Sequence, residues 1–171
     1  HGDHYPASIR DTDKLLPNNE QQRRASNGTA AAWRLRMESA QQSTTSQLTW
    51  HDHLTGTHRI TPEIFGDAVI ARGDIGASYH LAVVVDDALD QISLVTRGID
   101  LAPSTHLHRL LQELLGIPAP DYLHHELVRD AAGKRLAKRD NAESVAQLRD
   151  NGLNQNDLIA TLPTLPQSSL S

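Results

Sequence analysis

The amino-acid sequence predicts an α/β fold, and three features carry this prediction. Residues 79–85 (YHLAVVV) are apolar and rich in Val, which predicts a strand that is covered on both faces, as in a parallel sheet. Residues 92–96 predict a second strand. Residues 104–115 then carry leucines at the spacing of a helix with one buried face. Such a helix can return the chain along the sheet toward a further parallel strand.

The helix is expected to begin at Ser104 or Thr105, because either hydroxyl can accept a free backbone N–H of the first turn. Gly116 is expected to end it, with Pro118 beyond. Its buried face is predicted to hold Leu107, Leu110, Leu111, Leu114 and Leu115. Residues 122–129 predict a third strand, followed by a turn at residues 130–133 and a basic run at residues 134–139.

Polar side chains are expected at the ends of the predicted strands. Asp86 and Asp87 follow the first strand directly, and Arg97 follows the second. Ligands of open α/β sheets bind outside the carboxyl ends of the strands. The sequence therefore predicts a binding site near Arg97, with the two aspartates on its rim.

Four consecutive segments carry a family resemblance: YHLAVVVDDALDQISLVTRGIDL, STHLHRLLQELLGI, PxPxYLHHELV and GKRLAKRD. In this order they resemble the second half of the Rossmann-like catalytic domain of class I glutamyl-tRNA synthetases. More narrowly they are similar to the short paralogue family, the glutamyl-Q tRNA(Asp) synthetases, which attach glutamate to the queuosine base of a tRNA anticodon. The resemblance is densest over residues 66–140 and looser toward the N-terminus.

The resemblance implies roles for individual residues. Tyr79 matches the family tyrosine that touches glutamate, and Arg97 matches the arginine that holds the substrate carboxylate. Lys138 matches the lysine of the KMSKS-type loop that contacts ATP, and it is the expected catalytic residue. The whole expected ATP-binding loop is Arg135, Leu136, Ala137, Lys138 and Arg139, with alanine in place of the usual serine.

The chemistry that the resemblance implies suits these residue types. Glutamate would be activated by attack of its carboxylate on the α-phosphorus of ATP, so positioning and charge neutralisation matter more than acid–base catalysis. Arginine can meet a carboxylate with two parallel hydrogen bonds, and lysine suits phosphate. The implied ligands and partners are ATP with Mg²⁺, glutamate and the queuosine-containing tRNA(Asp).

The resemblance also divides the chain into three regions. Residues 1–65 are expected to be an insert with a degenerate zinc segment and β-hairpins, residues 66–140 the second half of the nucleotide-binding fold, and residues 141–171 a short helical tail. Within the insert, residues 17–29 read as a loop and residues 31–37 as a strand. A hairpin is expected from residues 47–51 and 57–60, and residues 65–72 are expected to re-enter the sheet. The tail predicts a helix at residues 141–151 with Val145 and Leu148 inward, closed by Gly152, and a further segment at residues 156–162.

Composition excludes several classes of protein. The chain has 171 residues, a formal net charge of −5 and no cysteine. One domain, or part of a larger one, is expected, without disulfides or a thiolate zinc site; Ile9 stands where the resemblance places the last zinc-ligating cysteine. No apolar run is long enough for a membrane span, so a cytoplasmic protein is expected. The net charge alone neither indicates nor excludes binding to nucleic acid.

The histidines suggest no metal site. His51 and His53 share a strand face but lack a third ligand, and His106 and His108 are expected at the surface. Residues 124–126 (HHE) lie in a predicted strand and point to opposite faces, which favours packing over a role as a base. No metal ligand is therefore expected.

Three interpretations of function stay open on the sequence. No HIGH-like tetrapeptide or Gly-rich phosphate loop precedes Tyr5, so the resemblance implies that the other half of the catalytic domain is a partner and that this chain alone activates glutamate poorly. The first interpretation is the glutamyl-Q ligase just described, which the few residues after Arg139 favour. The second is a fragment of a glutamyl-tRNA synthetase. The third is a non-catalytic remnant that binds RNA or a protein partner.

Overall fold

The computed structural model describes residues 17–27, 32–44, 47–74, 76–127, 129 and 144–161. Several predictions lie outside these residues: the zinc-like segment near Tyr5 and Ile9, the turn at residues 130–133, and the loop that contains Lys138.

Helices and short strands alternate along the described part of the chain. The helices are α1 (Asn18–Ser26), α2 (Met37–Gln42), α3 (Tyr79–Leu89), α4 (Ala102–Leu115), α5 (Val145–Asp150) and α6 (Gln155–Thr161). The strands are β1 (Ala32–Arg34), β2 (Thr49–Asp52), β3 (Gly56–Arg59), β4 (Val69–Arg72), β5 (Gly76–Ala77), β6 (Leu94–Gly98) and β7 (Asp121–His125). Two 3-10 turns lie at Pro62–Phe65 and Ile99–Leu101.

The strands form two sheets. The larger has the order β3-β2-β7-β6, in which β7 runs parallel to both β2 and β6 while β2 and β3 form an antiparallel hairpin. The predicted hairpin and the parallel α/β sheet are thus confirmed. The smaller sheet is antiparallel, with the order β1-β4-β5. The expectation that residues 65–72 return to the main sheet was wrong, because β4 pairs with β1 and β5 instead.

The predicted strand at residues 79–85 is a helix, α3. The hydroxyl of Ser78 accepts the backbone N–H of Leu81 and caps its first turn. Val84 is buried against α4, while Leu89 is 75% exposed. The segment is therefore buried on one face of a helix, and not on both faces as the strand prediction required. A short apolar run fits a buried strand and a helix equally well, and packing against α4 decided between them. Asp86 and Asp87 therefore lie within a helix and not at the end of a strand.

The helix predicted from the leucine spacing is α4, but its start differs. It begins at Ala102 with Pro103 in the first turn, a position that proline favours. Ser104 and Thr105 are buried within the helix and do not cap it. Gly116 ends α4 at φ +66°, as predicted. Of the five leucines, the last two, Leu114 and Leu115, are 37% and 47% exposed, so the buried face is shorter than expected.

The hydrophobic core lies between α4, α3 and the short helix α2. Its buried members are Met37, Ala40, Leu48, Ala68, Val84, Leu107, Leu110 and Leu111. The predicted strand at residues 31–37 stops at Arg34, because Met37 begins α2 and donates its backbone N–H to the Asp67 carboxylate at 3.0 Å. The buried carboxylate caps the helix, a tertiary contact that local sequence does not contain.

Exposed helices flank this core in sequence. Residues predicted as a loop form α1, in which Glu20 and Arg23 pair one turn apart. In the tail, Ser144 and Gln147 form a reciprocal capping box at the start of α5. Val145 is 64% exposed and not inward as predicted, whereas Leu148 is half-buried and Gly152 follows the helix at φ +92°. Within the described residues, no helix is both long and apolar enough to cross a membrane.

Candidate functional site

Arg97 lies where the parallel strands of the larger sheet end. It is the fourth residue of β6 and pairs in register with His124 of β7, so the two side chains share one face of the sheet. The Arg97 Nε–H donates to Nε2 of His124 at 3.2 Å. Its guanidinium carbon also lies 5.5 Å from the centre of the Tyr122 ring, within the range of a cation–π contact. Two side chains of β7 therefore contact the arginine, His124 through a hydrogen bond and Tyr122 through the face of its ring.

Helix α4 supplies two further partners for Arg97. Its Nη2 donates to the Thr105 hydroxyl at 2.5 Å, and its Nη1 lies 3.4 Å from Nδ1 of His108. Thr105 and His108 are three residues apart on the helix, which places them on the same face. Both are buried, with exposed fractions of 0% and 2%. The guanidinium is thus fixed from three directions by two elements.

Asp52, at the end of β2, holds His124 in place. The Asp52 carboxylate accepts hydrogen bonds from His124 Nδ1 at 2.6 Å and from the His124 backbone N–H at 3.1 Å. It also accepts the backbone N–H groups of Leu54 and Thr55. Burial acts to raise the pKa of Asp52, but these four hydrogen bonds outweigh it, so that the pKa lies below its ordinary value. The carboxylate is therefore ionised, and each of its two oxygens accepts two hydrogen bonds.

These contacts define the tautomer of His124. Its Nε2 accepts from Arg97, so the ring proton sits on Nδ1 and points to Asp52. Burial lowers the pKa of His124, and the neighbouring Arg97 charge lowers it further, against the opposing effect of Asp52. The imidazole is accordingly neutral near pH 7 and acts as an acceptor for the arginine.

His108 carries the hydrogen-bond chain onward to α3. Its Nδ1 faces Arg97, so its Nε2–H donates to Nδ1 of His80 at 3.0 Å. Burial, together with the charges of Arg97 and His80, lowers the pKa of His108 from 6.5 to about 3. Burial and Arg97 also lower the pKa of His80. Both rings are thus neutral near pH 7. The hydrogen bonds of His108 to Arg97 and to His80 require its ring proton to sit on Nε2.

Tyr79 reaches the same place from the first turn of α3. Its ring lies 6.0 Å from that of His108 and 5.6 Å from that of His80, and it is 55% exposed. The structure therefore brings Tyr79 and Arg97 together around His108, although they lie on different elements. The other predicted site residues, Arg135, Leu136, Ala137, Lys138 and Arg139, fall outside the described residues.

Several expectations about polar residues need correction. His108 was expected at the surface and is instead buried against Arg97, because α4 turns that face toward the sheet. His106 is partly buried beside Trp50. Asp87 lies on α3, where burial raises its pKa despite the opposing Arg97 charge. Asp86 and Asp87 lie in α3. The prediction that they follow a strand and form the rim of the binding site there was therefore wrong.

His51 in β2 and His53, which directly follows this strand, lie at the surface. The rings of His51 and His53 are 5.4 Å apart, and His53 bonds to Asp121 at 3.2 Å. In the described ranges, no group of three or more His, Asp or Glu side chains is arranged to hold a metal ion. His124 and His125 are consecutive residues of β7 and therefore point to opposite faces, as predicted, whereas Glu126 lies beyond the end of the strand.

Most of the residues that surround Arg97 were not predicted as part of a site. Asp52 and His80 were not singled out, Thr105 was taken for a cap, and His124 was assigned to packing. Two signals were present: the three-residue spacing of Thr105 and His108 on one helix, and the parallel register that sets His124 beside Arg97. The second signal requires knowing which strands are neighbours.

Comparisons with known proteins show which family the chain is similar to. The family model described as "tRNA synthetases class I (E and Q), catalytic domain" matches residues 3–166. The chain is 44% identical over 158 residues to a glutamyl-Q tRNA(Asp) synthetase of Rhodobacter capsulatus, covering 90% of this chain and 54% of that protein. It is 39% identical to the protein of the same name from Nocardia farcinica, covering 92% of this chain and 47% of that one.

Solved structures show the same relationship. A glutamate-tRNA synthetase from Elizabethkingia anophelis superposes with a TM-score of 0.60 at 26% identity, covering 81% of this chain and 28% of that chain. A glutamate tRNA ligase from Elizabethkingia meningosepticum, solved in complex with its amino acid, gives the same TM-score at 28% identity and the same coverage.

The chain spans 54% and 47% of the two glutamyl-Q relatives, about half the length of each. The matched family model nevertheless covers nearly all of this chain. The parallel strands of the larger sheet fit that family as well. The chain therefore belongs to the catalytic-domain family of the class I tRNA synthetases for glutamate and glutamine.

Proposed function

We propose that this chain supplies the glutamate site of an ATP-dependent ligase that activates glutamate and transfers it to the queuosine base of tRNA(Asp). One observation carries the proposal: the hydrogen-bond partners of Arg97 are all neutral. They are two imidazoles and a hydroxyl, so that in the described part of the chain no carboxylate bonds to this guanidinium. Arg97 keeps a full positive charge for a ligand.

The hydrogen-bond count supports a carboxylate as that ligand. Arginine has five N–H donors, and the described contacts use three, one each on Nε, Nη1 and Nη2. One hydrogen on each terminal nitrogen is left to donate. A carboxylate that accepts both makes charge-assisted bonds worth roughly 1.5–3 kcal/mol each. Tyr79, exposed beside His108, would contact the same substrate.

The proposal for ATP and its metal ion rests on the family resemblance. We propose that Lys138 contacts the phosphates and that residues 135–139 form the ATP loop. The described residues offer no acidic cluster for a resident ion, so Mg²⁺ would arrive on the ATP phosphates. Bound there, it would neutralise phosphate charge. Arg97 would meanwhile orient the attacking carboxylate, which is a contribution of position rather than proton transfer.

The proposal also names the group that receives the activated glutamate, the queuosine base of tRNA(Asp). Support for queuosine-containing tRNA(Asp) comes from the relatives called glutamyl-Q tRNA(Asp) synthetase, at 44% and 39% identity. A glutamate–tRNA ligase of Syntrophus aciditrophicus is 30% identical over 87% of this chain, which keeps transfer to a tRNA end as the second candidate. Both candidates share glutamate activation and differ only in acceptor. Charging assays with queuosine-containing and queuosine-free tRNA(Asp) separate them.

Direct titration of glutamate tests the site itself. Isothermal titration of the full chain should show glutamate binding. Arg97→Gln should weaken it by at least about 10-fold to 100-fold, because the glutamine amide can replace no more than one of the two charge-assisted hydrogen bonds. Arg72→Gln is the matched control, because Arg72 is exposed and paired with Asp74. Equal glutamate affinity in the Arg97 and Arg72 variants would remove the basis of the proposal.

A further inference from the structure

We propose that His80 is a positioning residue of the glutamate site and that it acts on Arg97 through His108. By accepting the ring proton of His108, it leaves the opposite nitrogen of that ring bare to accept from the guanidinium. The inference rests on the proposed function, because glutamate is the ligand that the positioned arginine would hold. The evidence lies in the hydrogen bonds of His108 and in the packing of α3.

The contact of His108 with Arg97 is long. Nη1 of Arg97 lies 3.4 Å from Nδ1 of His108. A guanidinium can only donate hydrogen bonds, so this contact requires a bare Nδ1 and a ring proton on Nε2. At 3.4 Å, however, it exceeds the usual length of an N–H hydrogen bond and determines the proton position only weakly. A second contact is needed to hold this tautomer of His108.

His80 provides the second contact, which is the shorter of the two. Nε2 of His108 lies 3.0 Å from Nδ1 of His80, an ordinary length for a hydrogen bond. His108 is 2% exposed, and in the described part of the chain its Nε2 has no other hydrogen-bond partner. A buried N–H without an acceptor is costly. His80 removes that cost when the proton of His108 sits on Nε2, and it thereby favours the tautomer that accepts from Arg97.

The backbone around His80 is tied to the smaller sheet. The Ser78 N–H donates to the Ile70 carbonyl of β4 at 2.9 Å, and the Ser78 hydroxyl caps the first turn of α3 by accepting the Leu81 N–H. The Phe65 ring meets the His80 ring edge-on, with ring centres 5.9 Å apart. The His80 ring therefore has a fixed place beside α4, and its acceptor atom is positioned before a ligand arrives.

The charge state of His80 suits an acceptor. Burial and the Arg97 charge lower its pKa, so the ring is neutral near pH 7 and one of its nitrogens is bare. In the opposite arrangement, His80 Nδ1–H would donate to His108, and the His108 proton would sit on Nδ1 and face an N–H of Arg97. Two donors would then meet. The three side chains are compatible with one direction of donation, from Arg97 to His108 and from His108 to His80.

The need for an acceptor at residue 80 distinguishes this role from packing alone. Leucine in place of His80 keeps an apolar contact with Phe65 but offers no acceptor. Glutamine offers its amide oxygen, which can accept the ring N–H of His108. If residue 80 only fills space, leucine replaces the histidine well. If it positions Arg97, glutamine replaces the histidine and leucine does not.

The tautomer of His108 is the first readout, because packing alone does not set it. It is measured from the ring nitrogen signals of the ¹⁵N-labelled full chain without ligand, and the His108 signals are assigned by their loss in His108→Gln. In the unchanged chain and in His80→Gln, the proton should sit on Nε2. In His80→Leu the two tautomers should mix, because only the long contact with Arg97 then selects between them. An unmixed Nε2–H tautomer in His80→Leu overturns the inference.

Glutamate affinity, measured by isothermal titration, is the second readout. His80→Leu should bind glutamate about 3-fold to 10-fold more weakly, as expected for the loss of one neutral hydrogen bond, and His80→Gln should bind it like the unchanged chain. His51→Leu, on the exposed face of β2, is the matched control and should also bind like the unchanged chain. Weaker binding in the glutamine variant, or unchanged binding in the leucine variant, overturns the inference. If the unchanged chain binds no glutamate, the proposed function fails, whereas the tautomer measurement still decides whether His80 sets the proton of His108.

Discussion

The Nδ1 atom of His124 lies 2.6 Å from the Oδ2 atom of Asp52, and both side chains are 1% exposed. The contact joins residues 72 positions apart, one at the end of β2 and one in β7. Because it fixes the proton on Nδ1, it turns the acceptor Nε2 toward Arg97. The β2–β3 hairpin thereby helps to orient the arginine of the proposed glutamate site, although it makes no contact with that arginine through the Asp52 side chain.

Replacing Asp52 tests this role in folding and orientation. Asp52→Ala should destabilise the fold by about 2–4 kcal/mol, since it removes four hydrogen bonds to a buried carboxylate and leaves donors unpaired. Urea unfolding followed by circular dichroism measures the change. Asp74→Ala, which removes an exposed ion pair with Arg72, should cost less than about 1 kcal/mol. Similar losses in the two variants would contradict a special role for Asp52.

The buried histidines predict how stability depends on pH. The pKa of His108 is lowered to about 3 in the folded chain, so between about pH 6.5 and pH 3 the unfolded state binds the extra proton. Its contribution to stability is complete above about pH 6.5 and declines as the pH falls, by up to about 1.4 kcal/mol per pH unit. The lowered pKa values of His80 and His124 act in the same direction. Asp52 adds a loss only at more acidic pH, below its ordinary value of 3.8.

Unfolding titrations at several pH values check this slope. His108→Gln keeps a neutral hydrogen-bonding side chain and should make the free energy of unfolding less dependent on pH between about 5 and 7. His51→Gln, on the exposed face of β2, should leave the slope as it is. A wild-type slope of zero in this range would show that the folded and unfolded chains bind equal numbers of protons, which would contradict a lowered pKa for His108.

Thr105 offers a change that affects one hydroxyl and little else. Thr105→Val should cost about 1–3 kcal/mol of stability, because the residue is 0% exposed and its oxygen accepts the Arg97 Nη2–H. The same change should also weaken glutamate binding, since the freed guanidinium can turn. Calorimetry of both properties in one preparation is the measurement. Normal glutamate affinity in a destabilised Thr105→Val protein would restrict the hydroxyl to a structural role.

Gly116 ends α4 in the left-handed region, at φ +66°. Gly116→Ala should destabilise the chain by about 1–2 kcal/mol, although no atom lies within 4 Å of the added Cβ, because the backbone conformation itself is strained for alanine. Gly116→Asn should cost less, since asparagine tolerates this region. Thermal melts compare the two, and equal stability of the alanine variant and the unchanged chain would count against the strain.

The elements that the sequence predicted correctly depend on local information. Leucine spacing and Gly116 define α4, and the two short segments at residues 47–51 and 57–60 define the hairpin. The Val-rich segment at residues 79–85 was misassigned because its pattern fits two structures. Only the contact of Val84 with the core around α4 separates them. Helix α2 was missed for a similar reason, since its start depends on Asp67, thirty residues away.

The site divides in the same manner. The motif resemblance predicts Tyr79 and Arg97 as site residues, and the structure places them around one histidine. The residues that hold Arg97 directly come from α4 and β7, and Asp52 at the end of β2 holds one of them, His124. Their convergence follows from the strand order, in which β7 lies between β2 and β6. That order is a tertiary property that residue patterns do not contain.

Glutamate-dependent exchange of pyrophosphate into ATP tests the central claim most directly. It is measured with the full chain, alone and together with the part of the Rhodobacter capsulatus relative that this chain does not match. We predict that exchange appears with the added part, is lost in Lys138→Ala and Arg97→Gln, and persists in Arg72→Gln. Absence of exchange in every combination, from a chain that is folded, would contradict glutamate activation and favour a protein that only binds RNA or a partner.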